Sequence, residues 1–403
     1  MKILSIETSC DDTGVTIMEA SGGRTNATFK ILAHALLSQI KLHIPFGGVY
    51  PALAKREHEK NLPILLEQVL KEAHLDKTVR QDLTVMKKPP VDLIAVTYGP
   101  GLEMCLWEGI VFAKKLAEKW NVPLIPVDHM EGHIFSVFGK KNKKNRGSFT
   151  VKKVKTPALS LLVSGGHTQL VLMNKWMEYK IIGETLDDAV GEAFDKVGRM
   201  LGLPYPGGPE ISKLAETERT KEKQALEKSI PARSLSVPAG TALALDPSTY
   251  ETPRSDYFSF ALPRPMLHTK NFNFSYSGLK TAVLYMLQKL GPIETIPEDT
   301  KNKIALEFEN AAIECLVYKT TKAVEKYNIK TLLVGGGVSC NTHLQRELTG
   351  VIGKKVKILF PQRELSGDNA LMIGIAGYLQ YMKNKRKVPN PETIKADGNL
   401  KLS

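Results

Sequence analysis

LSIETSCDDTGVTIM (residues 4–18) returns in the middle of the chain as LSLLVSGGHTQLVLM (159–173). Each copy is an apolar run, a small polar turn, a threonine and a second apolar run, the pattern of a β-hairpin. Each is followed much later by a strand that ends in a glycine-rich loop, VTYGPGL (96–102) in the first half and VGGGVSCN (334–341) in the second. No period of about 20–50 residues is visible, so this is one α/β unit present twice rather than a solenoid. Two such units, each bringing a hairpin and a glycine loop to a shared cleft, are the expected architecture.

The segments between agree with alternating strands and helices. DLIAVTYGPG (92–101) reads as a buried strand entering a Gly-Pro-Gly loop and then a helix to about Trp120. VPLIPV (122–127) is a further strand, and DNALMIGIAGYLQYM (368–382) an apolar helix closing the chain, with Asp368 near its start. Two stretches interrupt the pattern and read as surface insertions. KKNKKNRGSFTVKKVK (140–155) carries eight Lys or Arg and no acid, and 217–272 begins charged and ends Pro-rich. The expected division is a first lobe over 1–127, able to recruit part of the C-terminal helix, and a second over 128–403 containing both insertions.

A chain of 403 residues is long enough to bury two sizeable cores. No apolar run approaches the roughly 18 residues of a membrane span. Met1 leads straight into KILSIET with no signal or transit pattern, which reads as cytoplasmic. Cys10, Cys105, Cys315 and Cys340 form no CxxC pair, as suits a reduced compartment. Lys and Arg number 55 against 42 Asp and Glu, a net charge of +13 with a pI near 9.3. That balance suits a polyanion such as nucleic acid, although a lysine-rich background alone would produce it.

The chemistry centres on DHMEGHI (128–134). His129 and His133 are one helical turn apart, so both imidazoles can leave the same face. Zinc proteases use this spacing, but with a Glu directly after the first His. Glu131 comes one place late and would project away. Two ligands are too few for a metal, and Asp368 in SGDNALMIG (366–374) offers a third. Two imidazoles and a carboxylate with open positions suit Fe(II), Zn(II) or Mn(II). Two surface histidines and an ordinary helix-start carboxylate are the plainer reading of the same residues.

Nucleotide signatures of the G-x-x-x-x-G-K-[ST] and G-x-G-x-x-G types are missing. The chain instead has VSGGH (163–167), YPGGP (205–209) and GGGVSCN (335–341). Each lets backbone N–H groups approach a phosphate or ribose, although any one alone is more simply a turn. Three together favour a nucleotide. In GETLDDAVGEAFDKVGRMLGLPYPGGP (183–209), Asp188, Glu192 and Asp195 are expected on one helix face. A solvated face is the usual reason for such acids. Asp195, just before the YPGG loop, is also placed to take a ribose hydroxyl.

Nine stretches, in order, make the chain resemble a known family: ETSCDDTG, GGVYPALAKREH, TYGPGL, HMEGH, LLVSGGHTQL, LDDAVGEAFDKVGRMLGLPYPGGP, FSYSGLKTAV, GGGVSCN and DNALMIG. The resemblance is to the bacterial form of TsaD, the tRNA N6-adenosine threonylcarbamoyltransferases of the universal Kae/TsaD/Qri family. It spans nearly the whole chain outside the two insertions. It implies an actin/hexokinase/Hsp70-like (ASKHA) α/β fold with two duplicated lobes around a nucleotide cleft. By the same resemblance His129, His133 and Asp368 hold one divalent metal per subunit, iron(II) or zinc(II). Leu162, Val163, Ser164, Gly165, Gly166, Asp195, Gly208 and Asn341 match the positions that hold the adenylate, with ATP or ADP able to share the cleft. The implied reaction moves the threonylcarbamoyl group from threonylcarbamoyl-AMP to the adenosine 3′ of the anticodon in ANN-decoding tRNAs. The implied partners are tRNA, TsaB-like and TsaE-like proteins, and a TsaC-like enzyme that makes the adenylate.

No catalytic base or nucleophile is assigned, since no Ser/His/Asp or Cys/His arrangement is evident. The chain departs from its relatives at Asp128, where many carry His. It departs again at Ser366-Gly367, where many carry Cys-Thr, and at Ser212, where many carry an acid near the ribose. Glu103 and Glu108 are also unusual after TYGPGL. The rival readings are a small-molecule kinase or ATPase of the same superfold, a metalloprotease, and a non-catalytic scaffold. None of them accounts for the His pair and the glycine loops together.

Overall fold

The two sequence repeats become the matching halves of two β-sheets. The computed structural model describes residues 1–75, 89–139, 147–229 and 260–403. In the first repeat β1 (Lys2–Glu7) pairs antiparallel with β2 (Asp12–Gly23), and β2 with β3 (Asn26–Ser38). β4 (Leu93–Gly99) then joins β1 in parallel, and β5 (Leu124–Asp128) joins β4. The second repeat runs the same course. β7 (Ala158–Val163), β8 (Thr168–Lys175) and β9 (Glu178–Glu184) form the antiparallel part, and β10 (Thr331–Gly335) and β11 (Lys357–Leu359) add in parallel. Even the register is kept: Ser5 faces Thr16 in one hairpin, and the equivalent Ser160 faces Val171 in the other.

The sheet orders are β5-β4-β1-β2-β3-β6 and β11-β10-β7-β8-β9, identical but for β6 (Ser148–Lys152). β6 lies within the basic stretch 140–155. Phe149 and Val151 alternate inward there, and the strand pairs antiparallel with β3 at the sheet edge. Residues 140–146 of that stretch lie outside the described residues. Of 217–272, residues 230–259 lie outside them. Residues 260–272 pack against the second sheet's core through Leu262 and Phe272, with Leu267 also buried, whereas 220–225 are exposed.

Helices cover the sheets, so that both β1 and β7 are buried on both faces. α1 (Ile40–His43) is a single turn leading to α2 (Pro51–Glu72). With α3 (Glu103–Trp120), α2 buries one face of the first sheet through Leu62, Leu65, Ile110 and Trp120. In the second lobe α5 (Val190–Met200), α6 (Gly207–Ser229), α7 (Ser277–Leu290), α8 (Glu298–Lys326) and α9 (Thr342–Ile352) belong to the outer face of its sheet. Phe194, Phe308, Leu316 and Leu344 lie in the core they share with it. A third core lies between the sheets. It holds α4 (His129–Ser136) and α10 (Ala370–Lys383), which pack on each other and on strands of both sheets. α10 does not close the chain: residues 384–403 follow it and bury Ile394 and Leu402. Among the described residues no helix is long and apolar enough to cross a membrane.

Candidate metal and nucleotide site

α4 begins at once after β5 because Asp128 caps it. The Asp128 carboxylate accepts from the backbone N–H of Met130 at 2.7 Å and of Glu131 at 3.1 Å, two of the orphan donors of a helix start. His129 is thus the first helical residue, and His133 lies one turn on. Neither is a surface histidine: His129 is 4 % exposed and His133 fully buried. The face between them has only Gly132, where a Cβ would meet Met372 and Ile373 of α10. That close approach brings in Asp368, held just before α10 by its neighbour. Asn369 accepts from Met372 N at 3.0 Å and donates to Gly367 O at 2.8 Å.

Asp368 Oδ1 lies 3.3 Å from His129 Nε2 and 3.2 Å from His133 Nε2. The ligand-capable atoms of the three side chains all fall within 4.8 Å of one another. Behind them Glu7, buried in β1, faces His129 Nδ1 at 3.3 Å. It also accepts from Ser9 N at 2.6 Å and from the Thr97 hydroxyl. A carboxylate on Nδ1 sets the tautomer and leaves Nε2 facing Asp368 and His133.

The field at this point is strongly negative. Burial alone would lower His129, but the carboxylates of Asp368 and Glu7 outweigh it and hold the imidazole well above its usual value. Burial would raise Asp368 and Glu7, but the charge and hydrogen bond of His129 pull both below the usual carboxylate range. Across the cleft Asp11 and Asp12 are raised, Asp12 to about 7, first by burial and further by repulsion from Asp368. His133 is lowered by burial and by its charged neighbour. Its Nδ1 is buried with no hydrogen-bond partner, and its Nε2 lies near Asp368 without hydrogen-bond alignment. Orphaned imidazole nitrogens and crowded carboxylates are what a divalent cation would satisfy. The donor set fits iron(II) or zinc(II).

Two of the glycine loops, 163–167 and 335–341, adjoin this cluster. Gly335, at the end of β10, packs so tightly on the His133 carbonyl that a Cβ would lie 2.6 Å from its oxygen. Gly336 has φ of +91° and would put a Cβ 2.3 Å from Val163 O, so the β10 loop and the β7–β8 turn touch through bare backbone. Leu162 and Val163 point fully into the cores and can offer only main-chain groups. Ser164 is nearly buried, while Gly165 and Gly166 are exposed with open space above them. Asp195 accepts from Gly207 N at 2.8 Å and Gly208 N at 3.3 Å, which shapes the YPGG loop. Asn341 caps α9, its Oδ1 accepting from Leu344 N at 2.8 Å.

One expectation fails. Asp188, Glu192 and Asp195 do not share a helix face, because α5 starts only at Val190. Asp187 and Asp188 are drawn out of the helix by other partners. Asp187 holds the start of α7, accepting from the Ser275 and Ser277 hydroxyls and from the N–H groups of Tyr276 and Ser277. Asp188 pairs with Lys196 at 2.9 Å and Lys280 at 2.8 Å. Glu7, Thr97 and His167 were not singled out from sequence. Glu7 left a signal, an acid inside the apolar run KILSIE. His167 left a weaker one after the two glycines. Burial and the nearby His129 and His133 hold it down to about 4, hence neutral.

The chain is similar to known proteins over nearly its whole length. The sequence profile of the TsaD family, tRNA N6-adenosine threonylcarbamoyltransferase, matches residues 30–244 and 230–375. A tRNA N6-adenosine threonylcarbamoyltransferase of Thermosipho africanus is 38 % identical over 403 residues, covering 100 % of both chains. The protein of the same name from Persephonella marina is 39 % identical over 388 residues, 95 % of this chain and 91 % of that one. That of Bacillus cereus is 38 % identical over 389 residues, 95 % and 92 % respectively.

Proposed function

The chain belongs to the TsaD family of tRNA N6-adenosine threonylcarbamoyltransferases, and from that premise we propose how it carries out the transfer and with which residues. The donor is threonylcarbamoyl-AMP, and the acceptor is the N6 amine of the adenosine 3′ of the anticodon in ANN-decoding tRNAs. The observation that carries the reading is the meeting of His129, His133 and Asp368 beside the glycine loops at 163–167 and 335–341.

The donor is a mixed anhydride, so its carbonyl is already activated and AMP is a good leaving group. The exocyclic amine of adenine is a poor nucleophile. The enzyme's task is therefore to position the two and to stabilise charge that develops on the carbonyl oxygen. The amine nitrogen bonds to the carbamoyl carbon, the bond from that carbon to the phosphate oxygen breaks, AMP leaves with its electron pair, and the proton lost by the amine passes to solvent. Main-chain N–H groups of Gly165 and Gly166 hold the adenylate without a side chain intervening, while Gly208, whose own N–H is taken by Asp195, lets it approach the start of α6 without a Cβ in the way. Asp195 keeps the latter loop in shape. His129, His133 and Asp368 hold one divalent cation, iron(II) or zinc(II), whose Lewis acidity supplies carbonyl polarisation when bound. Glu7 orients His129 for that role.

The net charge of +13 complements tRNA phosphates. With this reading go a cytoplasmic location, TsaB-like and TsaE-like proteins as partners and a TsaC-like enzyme as donor source. ATP or ADP can occupy the same cleft. A kinase of the same superfold would need no histidine pair at this point.

The test is reconstitution with threonylcarbamoyl-AMP, unmodified tRNA and the TsaB-like and TsaE-like partners, read by nucleoside analysis. Wild type should form threonylcarbamoyladenosine, and His133→Ala should lose at least about a hundredfold in rate. Unmodified tRNA with wild type would overturn the reading. Full activity of His133→Ala would remove the metal from it.

A further inference from the structure

Asn341 has no free donor. Its Nδ2 donates to Glu309 Oε1 at 2.7 Å and to Ser212 Oγ at 3.0 Å, while its Oδ1 accepts from Leu344 N. Glu309 projects from the middle of α8 and is 1 % exposed. Its other oxygen accepts from Arg219 Nη2 at 2.9 Å, and that guanidinium also reaches Asn310 and Glu216. Both Glu309 oxygens thus accept, one from the Arg219 guanidinium and one from the Asn341 amide nitrogen. Glu309 therefore fixes which end of the Asn341 amide faces it, and the amide cannot flip.

The consequence falls on Ser212. It must accept from Asn341, so its own hydroxyl proton is left to point elsewhere. Ser212 is half-buried on α6, one turn beyond Gly208 and hence on the same face. We propose that Glu309 is a positioning residue that, through Asn341, makes Ser212 a hydrogen-bond donor to a sugar hydroxyl of the bound adenylate. This rests on the reading that the adenylate lies along the Ser164–Gly166 and Gly208 loops. The sugar oxygen is then recognised as an acceptor. A carboxylate at 212 would recognise it as a donor, and would set two anions on one amide beside Glu309.

The test uses the full chain and AMP, with 2′-deoxy-AMP and 3′-deoxy-AMP as controls, measured by calorimetry. Thermal melting is followed alongside. Ser212→Ala should weaken AMP binding about tenfold and leave one of the two deoxynucleotides bound as by wild type. Ser212→Asp should weaken AMP at least as much, and Ser212→Asp with Glu309→Gln should recover to within about threefold of wild type. Glu309→Gln alone should raise KM for the adenylate in the reconstituted transfer with kcat retained, which a merely structural role would not separate. Should Glu309→Gln not fold, the two single variants at 212 decide the matter, since they leave the Glu309–Arg219 pair intact. Ser212→Asp binding AMP as well as wild type, or a double variant no better than Ser212→Asp, would overturn the inference alone. Wild type that binds no AMP would overturn the adenylate reading beneath it as well.

Discussion

Glu131 sits between the two histidines of DHMEGHI yet takes no part in their cluster. It is 1 % exposed and accepts from Tyr179 Oη at 2.8 Å and from Gln380 Nε2. One side chain thus ties α4 to β9 and to α10, the helix that follows Asp368. Glu131→Ala should destabilise the chain by about 2 kcal/mol, because the half-buried Tyr179 and Gln380 lose their common acceptor. Urea unfolding measures this, and an unchanged midpoint would contradict it. The spacing of His129 and His133 was legible because one helical turn is a local property. So was the lateness of Glu131, which argues against protease chemistry. What Glu131 does was not legible, since Tyr179 and Gln380 are far off in sequence. Asp128 likewise was unexplained from the family pattern and becomes a helix cap only once the strand-to-helix junction is in view.

Among elements, the duplicated hairpins could be read because an apolar run, a polar turn and a second apolar run are set by neighbours along the chain. β6 could not. Lysines around Phe149 and Val151 disguised a strand that exists because β3 offers it an edge. The placing of Asp187 and Asp188 on a helix failed for a related reason. Tyr276, Ser277 and Lys280 compete for those carboxylates through tertiary contacts, and tertiary contacts override helical spacing. The β10 loop carries the sharpest demand at this scale. Gly336→Ala should cost about 3 kcal/mol or more, since the left-handed backbone and the 2.3 Å approach to Val163 O both oppose a Cβ. Its signature is a lowered melting temperature together with weakened AMP binding. A variant as stable as wild type would show that the two loops do not need bare backbone.

The whole molecule joins its two halves at the functional cluster. β5 delivers α4 from the first sheet, α10 returns from the end of the second repeat, and both lie in the core between the sheets. His129 and His133 come from one of these elements and Asp368 precedes the other, so the cluster can form only when both repeats are folded and docked. Sequence held the three residues and the repeat. It did not hold the distance between them, which depends on Gly132 admitting α10. The account's central claim is that this cluster holds a single divalent ion. Metal analysis of the purified chain, after equilibration with iron(II) under anaerobic conditions or with zinc(II), tests it most directly. Wild type should bind one equivalent, and His129→Ala, His133→Ala and Asp368→Ala should each weaken binding at least about a hundredfold while keeping the wild-type circular dichroism. Wild type that binds no ion, or variants that bind as tightly as wild type, would contradict it.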